Sequence, residues 1–188
     1  MQAKADPLPL PFWLQWLLAA MIAGMITRAA HPKTLVITGL IFGLSQWVVL
    51  LPVLRPRTWF AHALWLPASA LSGLIAYLLI ASLGVRLLGP VLIAVAAPYE
   101  DFASHLIFVT TLWSIIGLGQ WPLLRGVLPG AGCWILTSAG GGALGAIIDL
   151  AILAAGGEVY DSIWAGLLAG GGYGAVTART IVHIKDAN

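Results

Sequence analysis

The sequence predicts an all-α protein, a bundle of helices that crosses a membrane repeatedly, and three observations support this prediction. Sixty per cent of its 188 residues are hydrophobic and only 9% are charged, whereas a soluble globular domain carries about 25% charged residues. The mean hydropathy is +0.96. The apolar residues also form runs of about 20, the length that a helix needs to cross the hydrocarbon core of a bilayer. We therefore expect a polytopic integral membrane protein.

Six such runs follow one another along the chain, and we expect each to form a transmembrane helix. They cover about residues 10–29, 34–54, 60–84, 103–124, 131–155 and 161–182. The first run does not resemble a signal peptide for two reasons. It lacks a compact basic segment, because Lys4 is offset by Asp6, and further apolar runs follow it at once. We predict one transmembrane domain over residues 1–188. Its three helical hairpins would cover about 10–54, 60–124 and 131–182.

The middle hairpin differs from the other two because residues 85–102, VRLLGPVLIAVAAPYEDF, interrupt it. Their apolar part, 87–97, is too short to span a bilayer. Pro90 lies inside this part and Pro98 ends it, and proline interrupts helices. We expect an interfacial or re-entrant insertion on the outer side, which covers a site or contacts a partner.

The basic residues favour an orientation with both termini in the cytoplasm (N-in/C-in). In this orientation the inner segments hold six basic residues, which are Lys4, Arg55, Arg57, Arg125, Arg179 and Lys185. The outer segments hold three, which are Arg28, Lys33 and Arg86. Cytoplasmic segments carry the excess of Lys and Arg, and an even number of spans returns both termini to one side. We expect a multi-pass protein of the bacterial inner (cytoplasmic) membrane.

Recurring patterns predict that the three hairpins are pseudo-repeats. Odd-numbered helices carry Trp, a small residue and Gly at intervals of four, in Trp16–Ala20–Gly24, Trp65–Ser69–Gly73 and Trp134–Ser138–Gly142. Even-numbered helices carry a polar or aromatic residue three positions after Gly, in Gly43–Gln46, Gly117–Gln120 and Gly170–Tyr173. Small residues on one face let helices approach closely in lipid, so we expect these faces, including GxxxG pairs, to form interior seams. Trp rings are enriched at membrane interfaces, and we expect the three tryptophans to anchor helices there.

Gln46, Gln120 and Tyr173 occupy equivalent positions in the three hairpins. Their polar groups need hydrogen-bond partners because hydrocarbon supplies none, and Ser69 and Ser138 on neighbouring helices are candidates. One hypothesis is a polar clasp between helices. The other is a ring around a pseudo-threefold axis that faces a polar ligand or a pore. We expect the clasp.

Asp149 is the one ionisable residue well inside a predicted span, and such residues are candidates for functional sites. It lies toward the outer end, where pairing with Arg28, Lys33 or Arg86 is a structural alternative. His105 begins the fourth predicted helix, but these two residues alone do not make a catalytic mechanism. The spacing of His, Cys and acidic residues predicts no metal site, and no motif identifies a cofactor.

The stretches GLSQWVVL and GLGQWPLLR are each followed, after a short turn, by WLPAS or WILTS, and they resemble a known pattern. Uncharacterised bacterial multi-span membrane proteins contain similar repeated hairpins of the form G-L-x-Q-W-x-x-L-R. The second stretch fits this pattern better, because Leu51 stands at the Arg position of the first. The resemblance covers the hairpin cores and implies a membrane location without naming an activity.

These observations favour a non-enzymatic integral membrane protein, most simply an accessory or scaffolding subunit of a larger membrane complex. The expected partners are the lipid bilayer and another membrane protein. The chain shows no basic patch suited to nucleic acid and no catalytic constellation. The alternative is a binding or transport protein for a small apolar molecule (lipid, quinone, pigment or vitamin) held between hairpins.

Overall fold

A computed structural model describes residues 10–30, 35–54, 59–80, 82, 100–125, 130–158 and 162–186. These residues form six α-helices, which are α1 (Phe12–Ala29), α2 (Leu35–Leu54), α3 (Trp59–Leu79), α4 (Glu100–Arg125), α5 (Cys133–Ala154) and α6 (Ile163–Asp186). No strand occurs within these ranges. The prediction of an all-helical protein is therefore confirmed.

Three of the helices are long and apolar enough to cross a membrane. They contain the segments Phe12–Ala29, Phe102–Arg125 and Cys133–Ala154, which belong to α1, α4 and α5. The apolar segments of α2 and α3, Val36–Leu51 and Ala63–Leu79, are shorter. These helices indicate a membrane protein, whereas six complete spans stay a prediction. The predicted insertion 85–102 lies outside the described residues, except for its last three residues at the start of α4.

The ends of α5 show how the local sequence bounds a helix. Gly130 and Gly156 have positive φ angles of 75° and 78°, which glycine adopts without steric cost. The N–H of Gly157 donates to the carbonyl of Ile152 at 2.9 Å, and that of Gly156 to Leu153 at 2.9 Å. This is the hydrogen-bonded C-terminal turn that a glycine after the last helical residue allows. Glycines therefore flank α5 on both sides.

The six helices form a closed ring. Each helix packs against the helix that follows it in the sequence, and α6 packs against α1. We call the end of the ring at which α1 begins the proximal end, and the end at which α1 ends the distal end. Consecutive helices run in opposite directions, so α2 ends and α3 begins at the proximal end.

Glycines bring the backbones of α1 and α6 into direct contact. A Cβ atom at Gly170 would overlap the carbonyl of Ala20, and one at Gly24 would overlap the carbonyl of Gly166. A Cβ atom at Gly166 would also meet the side chain of Arg28. The missing side chains thus allow close packing, which is the main source of helix association where lipid surrounds the helices.

Large apolar side chains fill the proximal half of the ring. The proximal cluster consists of Trp16, Val49, Leu50, Trp65, Leu124, Ala131, Trp134, Ala178 and Ile181. Trp16, Trp65 and Trp134 are at most 1% exposed. The expectation that these tryptophans anchor the helices at the membrane interface was wrong, because their rings fill the core instead. The rings of Trp16 and Trp134 meet edge to face, with centroids 5.8 Å apart.

An aromatic cluster of Phe42, Trp113 and Tyr173 occupies the middle of the ring. The centroid of the Trp113 ring lies 4.5 Å from that of the Phe42 ring and 4.0 Å from that of the Tyr173 ring. Buried alanines and aliphatic side chains of α1, α3 and α4 surround the cluster. Gly142 of α5 leaves room for Trp113, since a Cβ atom there would lie 2.7 Å from Trp113 Cβ.

Replacing Gly142 with alanine should therefore destabilise the protein. The added methyl group would overlap Trp113 close to its backbone, where the indole cannot easily move away, and overpacking of this kind costs about 1–3 kcal/mol. Gly140→Ala is a matched control on the same helix, because among the described residues its new methyl group would meet only Val176, at 3.9 Å. Reversible unfolding in detergent should show a loss for Gly142→Ala and little change for Gly140→Ala. Equal stability of the two variants would contradict this packing.

Candidate functional site

Two groups of interior polar side chains lie on opposite sides of the aromatic cluster. The first lies between the aromatic and proximal clusters and consists of Gln46, Ser69, Gln120, Trp134 and the hydroxyl of Tyr173; we call it the central network. The second lies toward the distal end and consists of Arg28, His105 and Asp149; we call it the distal triad. The two groups differ in charge and in how completely they are hydrogen-bonded.

Gln120 is the hub of the central network. Its amide nitrogen Nε2 donates to Gln46 Oε1 at 2.8 Å and to Ser69 Oγ at 2.9 Å. Its carbonyl oxygen Oε1 accepts from the indole N–H of Trp134 at 3.0 Å. Gln46 Nε2 in turn donates to the hydroxyl of Tyr173 at 3.1 Å. All of these side chains are buried, and their bonds join α2, α3, α4, α5 and α6.

The first helix joins this layer through a separate bond. The indole N–H of Trp16 donates to Thr177 Oγ1 at 2.9 Å, and the Thr177 hydroxyl donates to the carbonyl of Tyr173 at 2.8 Å. Trp16 and Trp134 thus hold α1 and α5 to neighbouring even-numbered helices by the same donor group. Trp65 differs, because its buried Nε1 has no hydrogen-bond partner among the described residues.

Glycines of α2 and α4 leave space for the serine side chains of the helix that follows each of them. Cβ atoms at Gly43 and Gly117 would lie 2.8 and 2.9 Å from the hydroxyls of Ser69 and Ser138, respectively. Ser69 thereby reaches Gln120, and it also donates to the carbonyl of Trp65 at 2.8 Å. Ser138 faces the side chain of Tyr173 but makes no hydrogen bond within the described ranges.

The structure therefore brings together Gln46, Gln120, Tyr173 and Ser69 from the set of candidate residues. It leaves Ser138 beside them without a bond and places Asp149 in the separate distal triad. Every member of the central network is neutral, and both amides are engaged on nitrogen and oxygen. Such an arrangement suits a bridge between helices.

The distal triad surrounds the carboxylate of Asp149. Arg28 Nη2 lies 2.5 Å from Asp149 Oδ2, and His105 Nε2 lies 3.3 Å from the same oxygen. The Asp149 side chain is 4% exposed, whereas those of Arg28 and His105 are 20% and 16% exposed. An ion pair and a histidine from α1, α4 and α5 therefore meet inside the ring, with their partly exposed members toward its surface.

The contact between His105 and Asp149 is not evident from the sequence. The charges indicate Arg28 as a partner of Asp149, but nothing in the local sequence pairs His105 with it. Both residues lie two turns from the tight contact between Trp113 and Gly142, since His105 precedes Trp113 by eight positions and Asp149 follows Gly142 by seven. This spacing would have predicted the contact between His105 and Asp149 if the pairing of Trp113 with Gly142 were known. The sequence does not give that pairing, because it depends on how α4 is rotated against α5.

The described residues contain no group of three or more His, Cys, Asp or Glu side chains that could hold a metal ion. The distal triad has one carboxylate and one imidazole, with the remaining place taken by a guanidinium. Cys133 is exposed at the start of α5, far along the helix from Asp149.

Replacing Gln120 with leucine should destabilise the protein, because it removes three side-chain hydrogen bonds at once. The Trp134 N–H and the Gln46 carbonyl would remain buried without partners, and we expect a loss of about 1–3 kcal/mol. The matched control is Gln15→Leu, since among the described residues the Gln15 side chain bonds only to the exposed backbone carbonyl of Leu10. Unfolding in a detergent mixture should separate the two variants, and a Gln120→Leu protein as stable as Gln15→Leu would exclude the bridging role.

The chain was also compared with known proteins. No protein-family model matches it, and neither a curated protein nor a solved structure is detectably similar to it. The arrangement of its own residues is therefore the basis for any functional conclusion.

Proposed function

We propose that this protein is a non-enzymatic, six-span subunit of the bacterial inner membrane that serves as a scaffold or accessory component of a larger membrane complex. One observation carries the proposal. The described polar side chains of the interior bond mainly to one another across helices, while large apolar side chains cover the outside of the ring. The interior then maintains the structure, and the outer apolar surface is where other molecules bind.

The outer surface is apolar on helices all around the ring. Ile22 of α1, Leu71 of α3, Leu136 of α5 and Trp164 of α6 are 53%, 57%, 74% and 66% exposed. Exposed apolar surface on this scale marks contact with lipid or with another protein. Lipid alone could cover these apolar side chains. The scaffold proposal therefore makes the additional prediction that a protein covers one part of this surface.

The closed ring supports six spans in place of three. The helices α1, α4 and α5 contain apolar segments long enough to cross a bilayer. The other three pack between them, with α2 and α3 between α1 and α4, and α6 between α5 and α1. A helix that packs along its neighbour within a bilayer has to cross the same thickness. The basic residues then favour both termini in the cytoplasm, which places the proximal end inside.

Three similar contacts support the proposed pseudo-repeat of hairpins. In each, a glycine of an even-numbered helix faces the small residue of the following odd-numbered helix, with α1 following α6. The contacts are Gly43 with Ser69, Gly117 with Ser138, and Gly170 with Ala20. An ancestral hairpin copied twice would produce this arrangement, and it would also explain the resemblance to bacterial proteins with repeated hairpins.

The orientation can be tested by cysteine labelling in intact cells, in a Cys133→Ser background that removes the exposed native thiol. Glu158 and Arg125 are both exposed and lie at opposite ends of the ring. A membrane-impermeant maleimide added outside should modify Glu158→Cys and spare Arg125→Cys, because the positive-inside rule places Arg125 in the cytoplasm. After cell lysis both should react. The reverse pattern in intact cells would overturn the orientation.

The scaffold role can be tested by photocrosslinking in the native membrane. A benzophenone amino acid at Ile22, Leu71 or Leu136 samples the faces of α1, α3 and α5 separately. We expect one face to yield an adduct with a single defined protein, because a stable complex covers a fixed surface, while the other faces yield lipid adducts. The three positions serve as controls for one another.

Lipid adducts at all three positions would contradict the scaffold role. A recurrent adduct with one small non-lipid molecule would instead support the alternative, a protein that binds an apolar compound between its hairpins. Mass spectrometry of the crosslinked products distinguishes these outcomes.

A further inference from the structure

The proximal end of α4 carries an arginine that the packing of the ring does not use. Arg125 is exposed in the last turn of the helix, and its Cζ atom lies 5.3 Å from the centroid of the Trp121 ring. The corresponding stretch of α2 has the same glycine, glutamine and tryptophan but carries Leu51 in place of Arg125. The pattern that holds the ring together therefore does not require an arginine at this position.

The charge of Arg125 has no counter-charge among the described residues. The ion pairs that these residues form both involve Asp149, which is distal. Glu158, the other acidic residue whose side chain the structure describes, follows α5 and is also distal. Trp121 attracts the guanidinium through the electrons of its ring, but it supplies neither a negative charge nor a hydrogen-bond acceptor. Within the described ranges the N–H groups of Arg125 therefore have no acceptor.

This arginine lies where α4 leaves the hydrocarbon. The segment of α4 that is apolar and long enough to cross a membrane, Phe102–Arg125, ends at it. Trp121 packs partly buried against the proximal cluster, at the depth where tryptophan is enriched in membrane proteins. Leu118, on the same face two turns before Arg125, is 53% exposed and lies about 10 Å deeper along the helix axis. An apolar surface, an aromatic ring and a cation thus follow one another from the bilayer interior to the interface.

A phospholipid presents complementary groups in the same order. Its phosphate lies at the interface and accepts two parallel N–H···O bonds from an arginine, and a guanidinium offers this fork along its edge while it stacks on an aromatic ring. Its acyl chains lie deeper, beside Leu118. A zwitterionic lipid would also bring an ammonium group close to Arg125, where no described acidic side chain receives it. A lipid of net negative charge brings no such repulsion.

We propose that Arg125, Trp121 and Leu118 form a binding site for one anionic phospholipid, with its phosphate on the Arg125 guanidinium and an acyl chain against Leu118. The site lies on the outer face of α4 and is separate from the central network and the distal triad. It requires that α4 crosses the bilayer, which the apolar segment of this helix supports by itself. It depends neither on the scaffold role nor on the proposed orientation.

Native mass spectrometry of the purified, delipidated protein in detergent tests the class of lipid. The protein is mixed with equal amounts of phosphatidylglycerol, which is anionic, and phosphatidylethanolamine, which is zwitterionic, both with the same acyl chains. The buffer is about 0.15 M ammonium acetate, in which distant surface charges are screened. We expect one phosphatidylglycerol molecule to remain bound in preference to phosphatidylethanolamine. Equal retention of the two lipids would overturn the proposal.

Two arginine variants test the position of the site. Arg125→Leu should weaken the binding of phosphatidylglycerol at least about tenfold, because it removes charge-assisted hydrogen bonds. The matched control is Arg179→Leu, since Arg179 is also exposed at the proximal end but has no aromatic residue among the four positions before it. This control removes the same charge and should change the affinity by less than about twofold, because salt screens a charge that does not contact the lipid.

Equal weakening by the two variants would show a general attraction to basic residues and would overturn the site. An Arg125→Leu protein that binds phosphatidylglycerol as the wild type does would also overturn it, and would leave Arg125 to water or to an acidic segment of a protein partner. Both arginines are exposed, so both variants should keep the wild-type melting temperature in detergent.

The contribution of the acyl chain is tested by competition. Glycerol 3-phosphate carries the phosphate group of the lipid without acyl chains, and an excess of it should leave phosphatidylglycerol bound to the wild-type protein. Displacement of the lipid would identify a site for free phosphate compounds, in which the apolar surface at Leu118 has no role, and would contradict the proposal.

Discussion

Polar groups of a lipid-surrounded helix have to be satisfied within the protein, because hydrocarbon offers no hydrogen-bond partner. The central network meets this constraint with two glutamine side chains, of which Gln120 bonds to residues of three other helices. Its bonds require Ser69 and Trp134 to lie at the same depth as Gln120, and the glycines around them allow that approach. The packing of the ring and its polar interior thus depend on one another, since a shift of one helix along its neighbour would break several bonds.

Much of this arrangement could be predicted from residue spacing. A helix places positions three and four apart on one face. Residue spacing alone therefore identifies the interior helix faces that carry Gln46, Gln120 and Ser69. Hydropathy also located all six helices, although α4 begins at Glu100 and not near residue 103. These features depend on the period of a helix and on composition, which are local properties of the chain.

Features that depend on rotation between helices could not be predicted. A tryptophan at a membrane interface and one in a packed core follow the same small-residue pattern, so the burial of Trp16, Trp65 and Trp134 was missed. Ser138 lies beside Tyr173, which stands where the other hairpins have glutamine, but its hydroxyl lacks the hydrogen-bond geometry that Ser69 has with Gln120. The distal contact of His105 with Asp149 likewise requires the rotation of α4 against α5.

The contact between α1 and α6 has a consequence for the order of assembly. Helix α1 has its closest glycine partners, Gly166 and Gly170, on α6, which the ribosome makes after all the other described helices. Domains form during synthesis from the N-terminus onward, so α1 has to wait until α6 has been made. Until then Trp16 lacks Thr177, and Arg28 lacks Asp149. Closure of the ring is therefore a late event of high contact order, and the nascent chain presents two unpaired edges to other membrane components before it closes.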